Sequence, residues 1–535
     1  MGKWGVLAVL GAAQFLMVLD QAVMNVAISQ LVEDFDTTVT TIQFVIALYA
    51  LVMAGLMLTG GKLGDLFGRR KAFAIGLCIY GTGSALTAAS WSVPSLMFGW
   101  SVLEGIGAAL VLPAMVALVA SNFRGQDRAV AYGVLGGIAG AGIAVGPILG
   151  GWATTELSWR VVFAGEVVVV IGILLGMRLI VEPQRSGPRP SLDWVGGILS
   201  AAGLGVMVLG VLQASNWGWL LPRNSPIEPF GLSLTPFVIA AGALILAAFR
   251  AWERRREQVA EPLVHLDLLA IPRLKGGLSM LLSQNLVLMG VFFTVPLYLQ
   301  IVQGLDALET GVRMLPASAG LFVAALAGSA LAKRFPARGL VRVGLGIVLV
   351  AVLLLLDTIE PELDNASFLV AMGVLGVGMG LIVSQLGNVV QSAVEDNDRS
   401  EAGGLQNTAQ QLGSSLGTAL LGAIVISGLI TAFTTNVADN PKISDEVEQE
   451  VSVRVSSGAS FVSSEQVRSA AEDEELDPQT TDALVNDYED AQLDALRIAF
   501  LGAALLVLAS FFATSRLPTR RFDELEAARG PPVAT

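Results

Sequence analysis

The chain has 535 residues, of which 54% are hydrophobic and only 14% are charged, whereas soluble domains carry about 25% charged residues. This composition excludes a water-soluble globule and favours a protein with many membrane spans. The formal net charge of −13 comes with no basic face, so we expect no nucleic-acid partner. One cysteine and one histidine exclude a disulfide framework and a Cys/His metal site, and we expect no metal.

Fourteen apolar segments along the chain have the length of a membrane-spanning helix. Such a helix needs about 20 predominantly apolar residues, and segments of this kind recur along nearly the whole sequence. An even number of spans places both termini on the same side of the membrane. The predicted spans are 5–29, 42–61, 72–90, 95–121, 129–153, 161–181, 193–213, 233–250, 275–302, 310–331, 340–356, 367–391, 402–430 and 495–515.

The charges between these spans predict their orientation. Lys and Arg concentrate in cytoplasmic loops, and here alternate loops are basic, whereas the intervening ones, such as 32–36 and 357–365, are acidic or neutral. We therefore expect both termini in the cytoplasm. The basic loops and tail contain Lys62, Arg69, Arg70, Lys71, Arg124, Arg128, Arg185, Arg189, Arg250, Arg254, Arg255, Arg256, Arg273, Lys333, Arg334, Arg338, Arg342, Arg520 and Arg521.

A long acidic segment near the C-terminus, residues 431–494, falls outside the membrane in this topology. Its part from 437 to 494 holds sixteen Asp or Glu against three Lys or Arg, which accounts for most of the net charge. The stretches VSSEQ and DPQTT within it are typical of helix caps and turns. We expect a solvated extracytoplasmic lid rather than a metal or ligand module.

The loop between the second and third spans, residues 60–71, reads GGKLGDLFGRRK. A short cytoplasmic turn places Asp65 near helix ends among three basic residues, so charge pairs there can hold neighbouring helices in one conformation and release them in another. An ordinary cytoplasmic loop explains the basic residues, but not Asp65 together with the glycine spacing. The predicted conformational latch consists of Gly61, Asp65, Gly68, Arg69 and Arg70.

The fifth span contains GAGIAVGPILGG at 140–151. In water Gly costs a helix about 1 kcal/mol and Pro about 3 kcal/mol, but in a bilayer Gly at i and i+4 clears one helix face for close approach. Pro removes one helix hydrogen bond and kinks the span. We predict a gate at the outer side of this span; the alternative is a static packing seam. The gate residues are Gly142, Gly146, Pro147, Gly150 and Gly151.

These two motifs resemble signatures of the major facilitator superfamily. The loop resembles G-x-L-a-D-r-x-G-r-[RK], with Leu66 in place of a basic residue. The fifth span is similar to G-x-x-x-G-P-x-x-G-G, which is associated with antiporters rather than symporters. LDQAVMNVAIS at 19–29 resembles the first-span signature of fourteen-span drug:proton antiporters, with Ala22 in place of Thr and Ser29 in place of Pro.

The resemblance covers essentially the whole chain and implies its architecture. We expect an all-α polytopic membrane protein with the major facilitator fold, built from two six-helix bundles plus two extra central helices. The implied divisions are an N-terminal bundle (1–190), two linker spans with a cytoplasmic connection (191–273), a C-terminal bundle that includes the acidic loop (274–515) and a cytoplasmic tail (516–535).

The chain departs from the family at positions that matter for coupling. In the fourth span Ser101 replaces an arginine that relatives associate with proton coupling, and Glu104 replaces a usual Gln. Glu166 replaces Asn in the sixth-span pattern W-R-W-x-F-x-x-N, and Gln410 replaces Arg in the thirteenth span. The standard coupling mechanism therefore cannot be carried over intact.

Away from the span ends, three acidic residues lie within predicted spans, where a carboxylate is costly unless paired, hydrated or protonated. At 1.5 Å per residue, Asp20 lies roughly 15 Å and Glu104 roughly 14 Å from the outer ends of their spans, whereas Glu166 lies roughly 8 Å in. The resemblance implies that the first and fourth spans line a central cavity. We predict that Asp20 and Glu104 bind the coupling proton, with Glu166 as a weaker candidate. The alternative is that each is a buried acid bonded to Asn25, Ser101 or backbone.

In the second half of the chain, the polar residues within the predicted spans are mainly amides rather than charged residues, and we expect them to line the cavity. No Lys or Arg lies deep in any predicted span, and an acidic cavity without a buried base favours cationic or neutral amphiphiles over anions. Each polar residue can alternatively do no more than join helices. The cavity candidates are Asn25, Ser101, Gln284, Tyr298, Gln300, Gln385, Asn388, Asn407, Gln410 and Gln411.

The resemblance favours a monomeric proton-coupled antiporter in the lipid of a bacterial cytoplasmic membrane. It would export amphiphilic cationic or neutral compounds by alternating access, powered by the proton gradient without a cofactor. One alternative is an exporter or uniporter of a native lipid, metabolite or siderophore; another is a membrane sensor that does not transport. The absence of G-x-x-x-x-G-K-[ST] disfavours an ATP-driven pump. No stretch suggests a nucleophile and base, so we expect no enzyme activity.

Overall fold

The computed structural model describes residues 3–123, 125–180, 192–332, 334–395, 398–458 and 461–520. Within these ranges the chain forms helices joined by turns and loops, and no residue of them lies in a β-strand. The predicted all-α class is therefore confirmed. Several positions named above lie outside the described residues: Arg124, Arg185, Arg189, Lys333, Arg521, the boundary at 190 and 191, and most of the tail.

The first part of the chain forms eight α-helices in the described residues. The Oγ1 of Thr38 caps α3 by accepting the N–H of Thr41 at 3.2 Å, and the Oγ of Ser158 caps α8 by accepting the N–H of Arg160 at 3.3 Å. Gly68, with φ of 101°, turns the chain between α3 and α4. The helices are α1 (Lys3–Val26), α2 (Ile28–Asp34), α3 (Val39–Phe67), α4 (Arg69–Ala88), α5 (Val93–Leu96), α6 (Gly105–Asn122), α7 (Gly125–Glu156) and α8 (Trp159–Gly176), with a π-helix (Met97–Glu104) between α5 and α6.

Ten further helices follow. Asp193 caps α9 by accepting the N–H of Gly196 at 2.9 Å, and Asp306 caps α12 by accepting that of Glu309 at 2.7 Å. The helices are α9 (Trp194–Trp217), α10 (Thr235–Arg256), α11 (Pro272–Leu297), α12 (Ala307–Leu331), α13 (Ala337–Asp357), α14 (Asn365–Ala393), α15 (Arg399–Asp439), α16 (Asp445–Gly458), α17 (Ser464–Asp473) and α18 (Pro478–Ala513), with a π-helix (Tyr298–Val302) after α11.

Twelve of the described helical segments are long and apolar enough to cross a membrane. α4 and α7 are not among these twelve, so the predicted count of fourteen is not confirmed by length and composition. α4 begins with three basic residues and carries a polar stripe, which lowers its hydropathy. The twelve segments are Trp4–Val26, Val39–Phe67, Val93–Val119, Trp159–Leu179, Trp194–Trp217, Thr235–Arg256, Pro272–Val302, Ala307–Leu331, Ala337–Asp357, Asn365–Ala393, Glu401–Asp439 and Pro478–Arg516.

The helices of the two halves pack mainly within each half and meet along two seams. α7 lies against α1 within the first half and against α12 of the second half, and α3 lies against α15. α9 and α10, which lie between the two halves in the sequence, pack on each other. α9 also covers the seam between α3 and α15. A Cβ on Gly197 of α9 would lie 2.9 Å from Thr59 Oγ1 of α3, so glycine allows this close approach. α9 thus covers one side of the junction, and α10 packs against α9.

The acidic segment 431–494 is largely helical. α15 continues beyond its predicted span to Asp439, and α18 begins at Pro478, well before the predicted span at 495–515. α16 and α17 lie between them, and Phe433 of α15 packs edge-on against Tyr488 of α18 with ring centroids 5.2 Å apart. The Nε2 of Gln492 donates to the carbonyl of Val462 at 2.6 Å. The segment is therefore anchored to the ends of two long helices.

Candidate functional site

Three acidic side chains from separate parts of the first half converge inside the protein. Asp20 lies on α1, Glu104 ends the first π-helix and Glu166 lies on α8. Their exposed fractions are 0%, 0% and 2%. One carboxylate oxygen of each lies within 4.8 Å of those of the other two. These three residues are called the acid cluster below. Glu166 belongs to it, although its predicted depth along the sixth span was nearer the surface.

Asp20 is held by an aromatic pair. The Nε1 of Trp100 donates to its Oδ1 at 2.7 Å, and the Trp100 ring stacks on Tyr49 with centroids 4.4 Å apart and planes 9° apart. The second oxygen, Oδ2, has no hydrogen-bond partner among the described residues. Asn25 instead donates to the carbonyl of Gln21 at 2.7 Å. The alternative in which Asn25 satisfies Asp20 is therefore not the arrangement found.

The other two acids are held by hydroxyl groups on α4. Thr87 Oγ1 donates to Glu104 Oε1 at 3.0 Å. Ser84 Oγ and Tyr80 OH donate to Glu166 Oε2 at 3.1 and 3.3 Å. Within the described part of the chain, Glu104 Oε2 and Glu166 Oε1 have no hydrogen-bond partner. Each acid of the cluster thus has one bonded oxygen and one free oxygen.

The acid cluster lacks a compensating positive charge among the described residues. None of the ion pairs found there includes Asp20, Glu104 or Glu166. Two ionised carboxylates 4.8 Å apart repel by about 3.5 kcal/mol even at an effective dielectric of about 20, and burial adds the cost of desolvating each charge. Uptake of protons or of a cation would relieve this repulsion. Carboxylate oxygens are also the ligands that hard cations prefer, and the expectation of no metal stays a prediction.

Local structure explains how α4 and the fourth span come close enough to build this cluster. A Cβ on Gly83 would lie 2.6 Å from Glu104 Cγ, and one on Gly99 would lie 2.9 Å from Thr87 Oγ1. Only glycine fits at both positions. π-helical turns occur often at functional sites, and this one carries both Trp100 and Glu104.

Sequence reasoning missed the side chains that hold the acid cluster. Tyr80, Ser84 and Thr87 are spaced i, i+4 and i+7, which places them on one face of α4 and could have identified them. Trp100 precedes Glu104 by four residues, but nothing in the sequence indicates that it bonds to Asp20.

A small cavity lies beside the aromatic pair, between the two halves. Its volume is about 20 Å³, which is room for about one water molecule. Of the predicted cavity residues, Asn25 lines it. Sequence reasoning missed Ser414 and Thr418, which follow Gln410 at i+4 and i+8 on one face of α15. The lining residues are Gln21, Asn25, Ile46, Tyr49, Ala50, Trp100, Met289, Ser414 and Thr418.

Several other predicted cavity residues join helices. Ser101 Oγ donates to the carbonyl of Val45 on α3 at 2.8 Å. Tyr298 OH donates to the carbonyl of Thr358 at 2.9 Å, and Gln385 Nε2 donates to that of Gly328 at 3.0 Å. Gln284 is buried, Asn388 is exposed, and Asn407, Gln410 and Gln411 are half-buried.

The predicted latch joins neighbouring ends of three helices, α3, α4 and α6. Arg69 Nη2 lies 3.3 Å from Asp65 Oδ1, and Arg69 Nη1 donates to the carbonyl of Ala117 on α6 at 3.4 Å. A Cβ on Gly61 would lie 3.6 Å from Pro113 Cβ of α6. Gly68 makes the turn described above, and Arg70 is half-buried beside it.

The predicted gate glycines lie where α7 meets α1. A Cβ on Gly142 would lie 2.9 Å from Val18 Cγ1, and one on Gly150 would lie 2.9 Å from Val23 Cα. A Cβ on Gly146 would overlap the Cβ of Ala22. Three glycines spaced by four therefore form one face of α7 against α1.

The same end of α7 contacts the second half. A Cβ on Gly151 would overlap the carbonyl oxygen of Ala307, and one on Gly311 would overlap that of Pro147. The N–H of Leu308 donates to Thr155 Oγ1 at 3.1 Å.

A second contact closes this end of the protein. Gln300 Nε2 donates to the carbonyl of Val26 at 2.8 Å, and Gln300 Oε1 accepts the N–H of Ser29 at 3.2 Å. Gln300, predicted to line the cavity, thus ties the end of the second π-helix to α1 and α2. We call this junction, formed by these residues and those of α7 and α12 above, the closed end.

Comparison with known proteins gives a consistent result. Residues 10–418 match the family model described as the Major Facilitator Superfamily. A puromycin resistance protein of Streptomyces alboniger is 33% identical over 77% of this chain and 80% of its own length. A multidrug efflux pump of Mycolicibacterium smegmatis is 29% identical over 77% of this chain and 78% of its own length.

Solved structures show the same fold. One is a bacterial homolog of the human lysosomal transporter Spinster in an inward-facing, unoccupied conformation. It has a TM-score of 0.59 at 15% identity and covers 96% of this chain and 97% of its own. The human organic anion transporter MFSD10 has a TM-score of 0.56 at 15% identity, over 96% of this chain and 100% of its own.

Proposed function

This chain belongs to the Major Facilitator Superfamily, and from that premise we propose that it exports amphiphilic compounds in exchange for protons. Relatives carry names of puromycin resistance, tetracenomycin C resistance and export, and multidrug efflux. These names support drug-like organic substrates, and the acid cluster without a basic partner favours cationic or neutral ones.

The observation that carries the proposal is the acid cluster. Three buried carboxyls from three elements, each with one unpartnered oxygen, form a site that must take up positive charge. Protons can supply that charge without the additional ligands that a bound metal cation needs. In the proposed cycle, Asp20 and Glu104 take up protons when the cluster opens toward the outside. They release them when it opens toward the cytoplasm, where substrate binds in the cavity between the halves.

The gate and the latch act at opposite ends in this cycle. The closed end, where α7 meets α12 and Gln300 meets α1 and α2, separates when the transporter opens outward. The pair of Arg69 and Asp65 stabilises one arrangement of the cytoplasmic ends. Since the contacts at the closed end are formed here, we assign this conformation to the inward side of the cycle.

We further propose fourteen spans with both termini in the cytoplasm of a bacterial cell. α4 and α7 pack inside the bundle against α6, α8, α1 and α12, and both are long enough to cross a bilayer. With them counted, the basic loops fall on one side of the membrane. We expect a monomer that uses the proton gradient and no cofactor.

The decisive experiment measures export and proton movement together. Everted membrane vesicles carrying wild type, Asp20→Asn or Glu104→Gln are given ethidium or puromycin under an imposed pH gradient. Both substitutions keep the hydrogen bonds from Trp100 and Thr87 but remove the exchangeable proton, so we expect at least a tenfold loss of gradient-driven export. Glu362→Gln, which changes an exposed acid in a loop, is the matched control.

The outcomes separate the alternatives. Wild-type export and proton stoichiometry in both cluster variants would refute the role of these acids. An absence of both transport and substrate-dependent proton flux in wild type, with every compound tried, would point to the sensor alternative, whereas transport without proton flux would point to a uniporter.

A further inference from the structure

Trp100 touches both the acid cluster and the cavity. Its indole N–H bonds to Asp20, while its ring lines the cavity together with residues of the second half. Resting on the proposed function, we propose that Trp100 is the positioning residue through which the charge of Asp20 reaches the cavity. It thereby sets the pH at which substrate binds.

The hydrogen bond is sensitive to charge. An N–H donor bonds about twice as strongly to an ionised carboxylate as to a neutral acceptor. When Asp20 is ionised, the 2.7 Å bond holds the indole toward α1. When Asp20 carries a proton, the bond weakens and the ring is held mainly by packing. One proton on Asp20 therefore changes how firmly the cavity wall is fixed.

A change in the position of Trp100 alters the lining of the cavity between the two halves. Tyr49 is stacked flat on Trp100 and lines the same cavity, so the two rings move as one surface. Met289, Ser414 and Thr418 of the second half lie on the other side of this space. A flat aromatic or cationic group entering between the halves would meet the rings directly, and a cation over an aromatic face is attracted to it.

The groups that act on Asp20 come from four elements. Glu104 and Glu166 repel its charge, and Tyr49 and Tyr80 lie in the same buried region. Near Asp20, α7 contacts α1 through glycines. α6 carries no charged residue. The charged residues of α2, α11 and α12 lie near helix ends: Glu33, Asp34, Arg273, Lys275, Glu309 and Arg313.

The test compares the pH dependence of ethidium binding to the purified full-length protein in detergent. We expect the wild-type affinity to rise with pH as the cluster loses protons. Trp100→Phe keeps a ring but loses the donor that favours the ionised carboxylate. The midpoint should therefore move to higher pH by about one unit, the scale of one charge-assisted hydrogen bond.

Two further variants keep the test decisive. Trp252→Phe removes another indole donor, one that bonds to Asp193 at 2.9 Å near the cytoplasmic linker, and should leave the midpoint unchanged. Replacement of Trp100 by 3-benzothienylalanine exchanges the N–H for sulfur at nearly constant shape. It should shift the midpoint even if Trp100→Phe does not fold.

The outcomes distinguish this inference from the function on which it rests. An unchanged midpoint in a folded Trp100 variant, in a protein whose wild type couples export to protons, overturns the role of Trp100 alone. A wild type that moves no protons with substrate overturns the proposed function instead. A shift in Trp252→Phe equal to that in Trp100→Phe would mean that the effect is not specific to the cavity, which also overturns the inference.

Discussion

At the scale of single residues, the partner of a carboxylate decides its role. Asp34, at the end of α2, accepts from Trp159 Nε1 at 2.8 Å and pairs with Arg160 at 2.6 Å. Burial raises the pKa of Asp34, but hydrogen bonds from Trp159, Gln30 and Arg160 outweigh it and leave the pKa below its ordinary value of 3.8. Asp20 has an indole donor but forms no ion pair with another described residue. Asp34 is therefore a paired structural anion, whereas Asp20 belongs to the acid cluster that we propose takes up protons.

The structural role of Asp34 can be measured as stability. Asp34→Asn removes the ion pair, and because both partners are partly exposed, we expect a loss of about 0.2–1 kcal/mol in the free energy of unfolding at neutral pH. Since the folded pKa is lowered, this contribution is present above the ordinary pKa and disappears as pH falls through the lowered value.

Thermal unfolding of wild type and Asp34→Asn at neutral pH and at about pH 3 checks this sign, because the ordinary pKa of Asp lies between them. The difference in melting temperature between the two proteins should be smaller at the acidic pH. An equal difference in melting temperature at both pH values would mean that the charge of Asp34 does not stabilise the contact between α2 and α8.

At the scale of elements, the glycine face of α7 is what lets it lie on α1. Gly142, Gly146 and Gly150 recur every fourth residue, and side chains or backbone of α1 occupy the space that their Cβ atoms would need. The sequence predicted this face from the spacing alone. It did not predict the partner, because glycine spacing marks a close approach without naming the helix that makes it.

Gly146→Ala should push α7 away from α1. The added Cβ would overlap that of Ala22, and overpacking of this kind costs about 1–3 kcal/mol. We expect a lower melting temperature and reduced export. Because the other atoms near this Cβ lie at 3.8 Å or beyond, the double variant Ala22→Gly with Gly146→Ala should recover both.

Gly172→Ala on α8 is the control, since no atom lies within 4 Å of the Cβ it would add. Its melting temperature should not fall, because alanine favours a helix over glycine. Equal destabilisation by Gly146→Ala and Gly172→Ala, or no rescue in the double variant, would contradict close packing as the reason for the motif.

At the scale of the whole molecule, the two halves meet at the closed end and beside a cavity too small for a drug-sized molecule. Transport then requires the closed end to separate. Thr155 on α7 and Leu308 on α12 face each other there, with the Leu308 N–H 3.1 Å from Thr155 Oγ1. A covalent link between these positions would hold the two halves together at this end.

We expect Thr155→Cys with Leu308→Cys, in a background of Cys78→Ser, to lose export on oxidation or with a short thiol cross-linker and to recover it with reductant. Cys78 is the one native cysteine, so the background has no other thiol. Vesicle transport with and without reductant measures this, and Thr155→Cys alone is the control. Full export by the cross-linked protein would show that this end does not open.

The sequence predicted the acidic residues of the site better than the contacts that they make. It identified Asp20, Glu104 and Glu166 because an acid within an apolar span stands out by itself. It did not identify Trp100, Tyr49 or Thr87, since aromatic and hydroxyl residues are common in spans and acquire a role only through the neighbour they contact. The depth estimate also separated Glu166 from the other two, because distance along a helix says nothing of how helices tilt and approach.

The amino-acid sequence by itself determined the helical class, most of the membrane-length helices and the glycine face of α7, because hydropathy and residue spacing are properties of consecutive positions. Only the tertiary structure decided that the three acids share one cluster, that Gln300 and Tyr298 join helices, and that α9 covers the seam between α3 and α15. These are contacts between residues far apart in the chain. Their energies depend on distance, burial and charge in three dimensions.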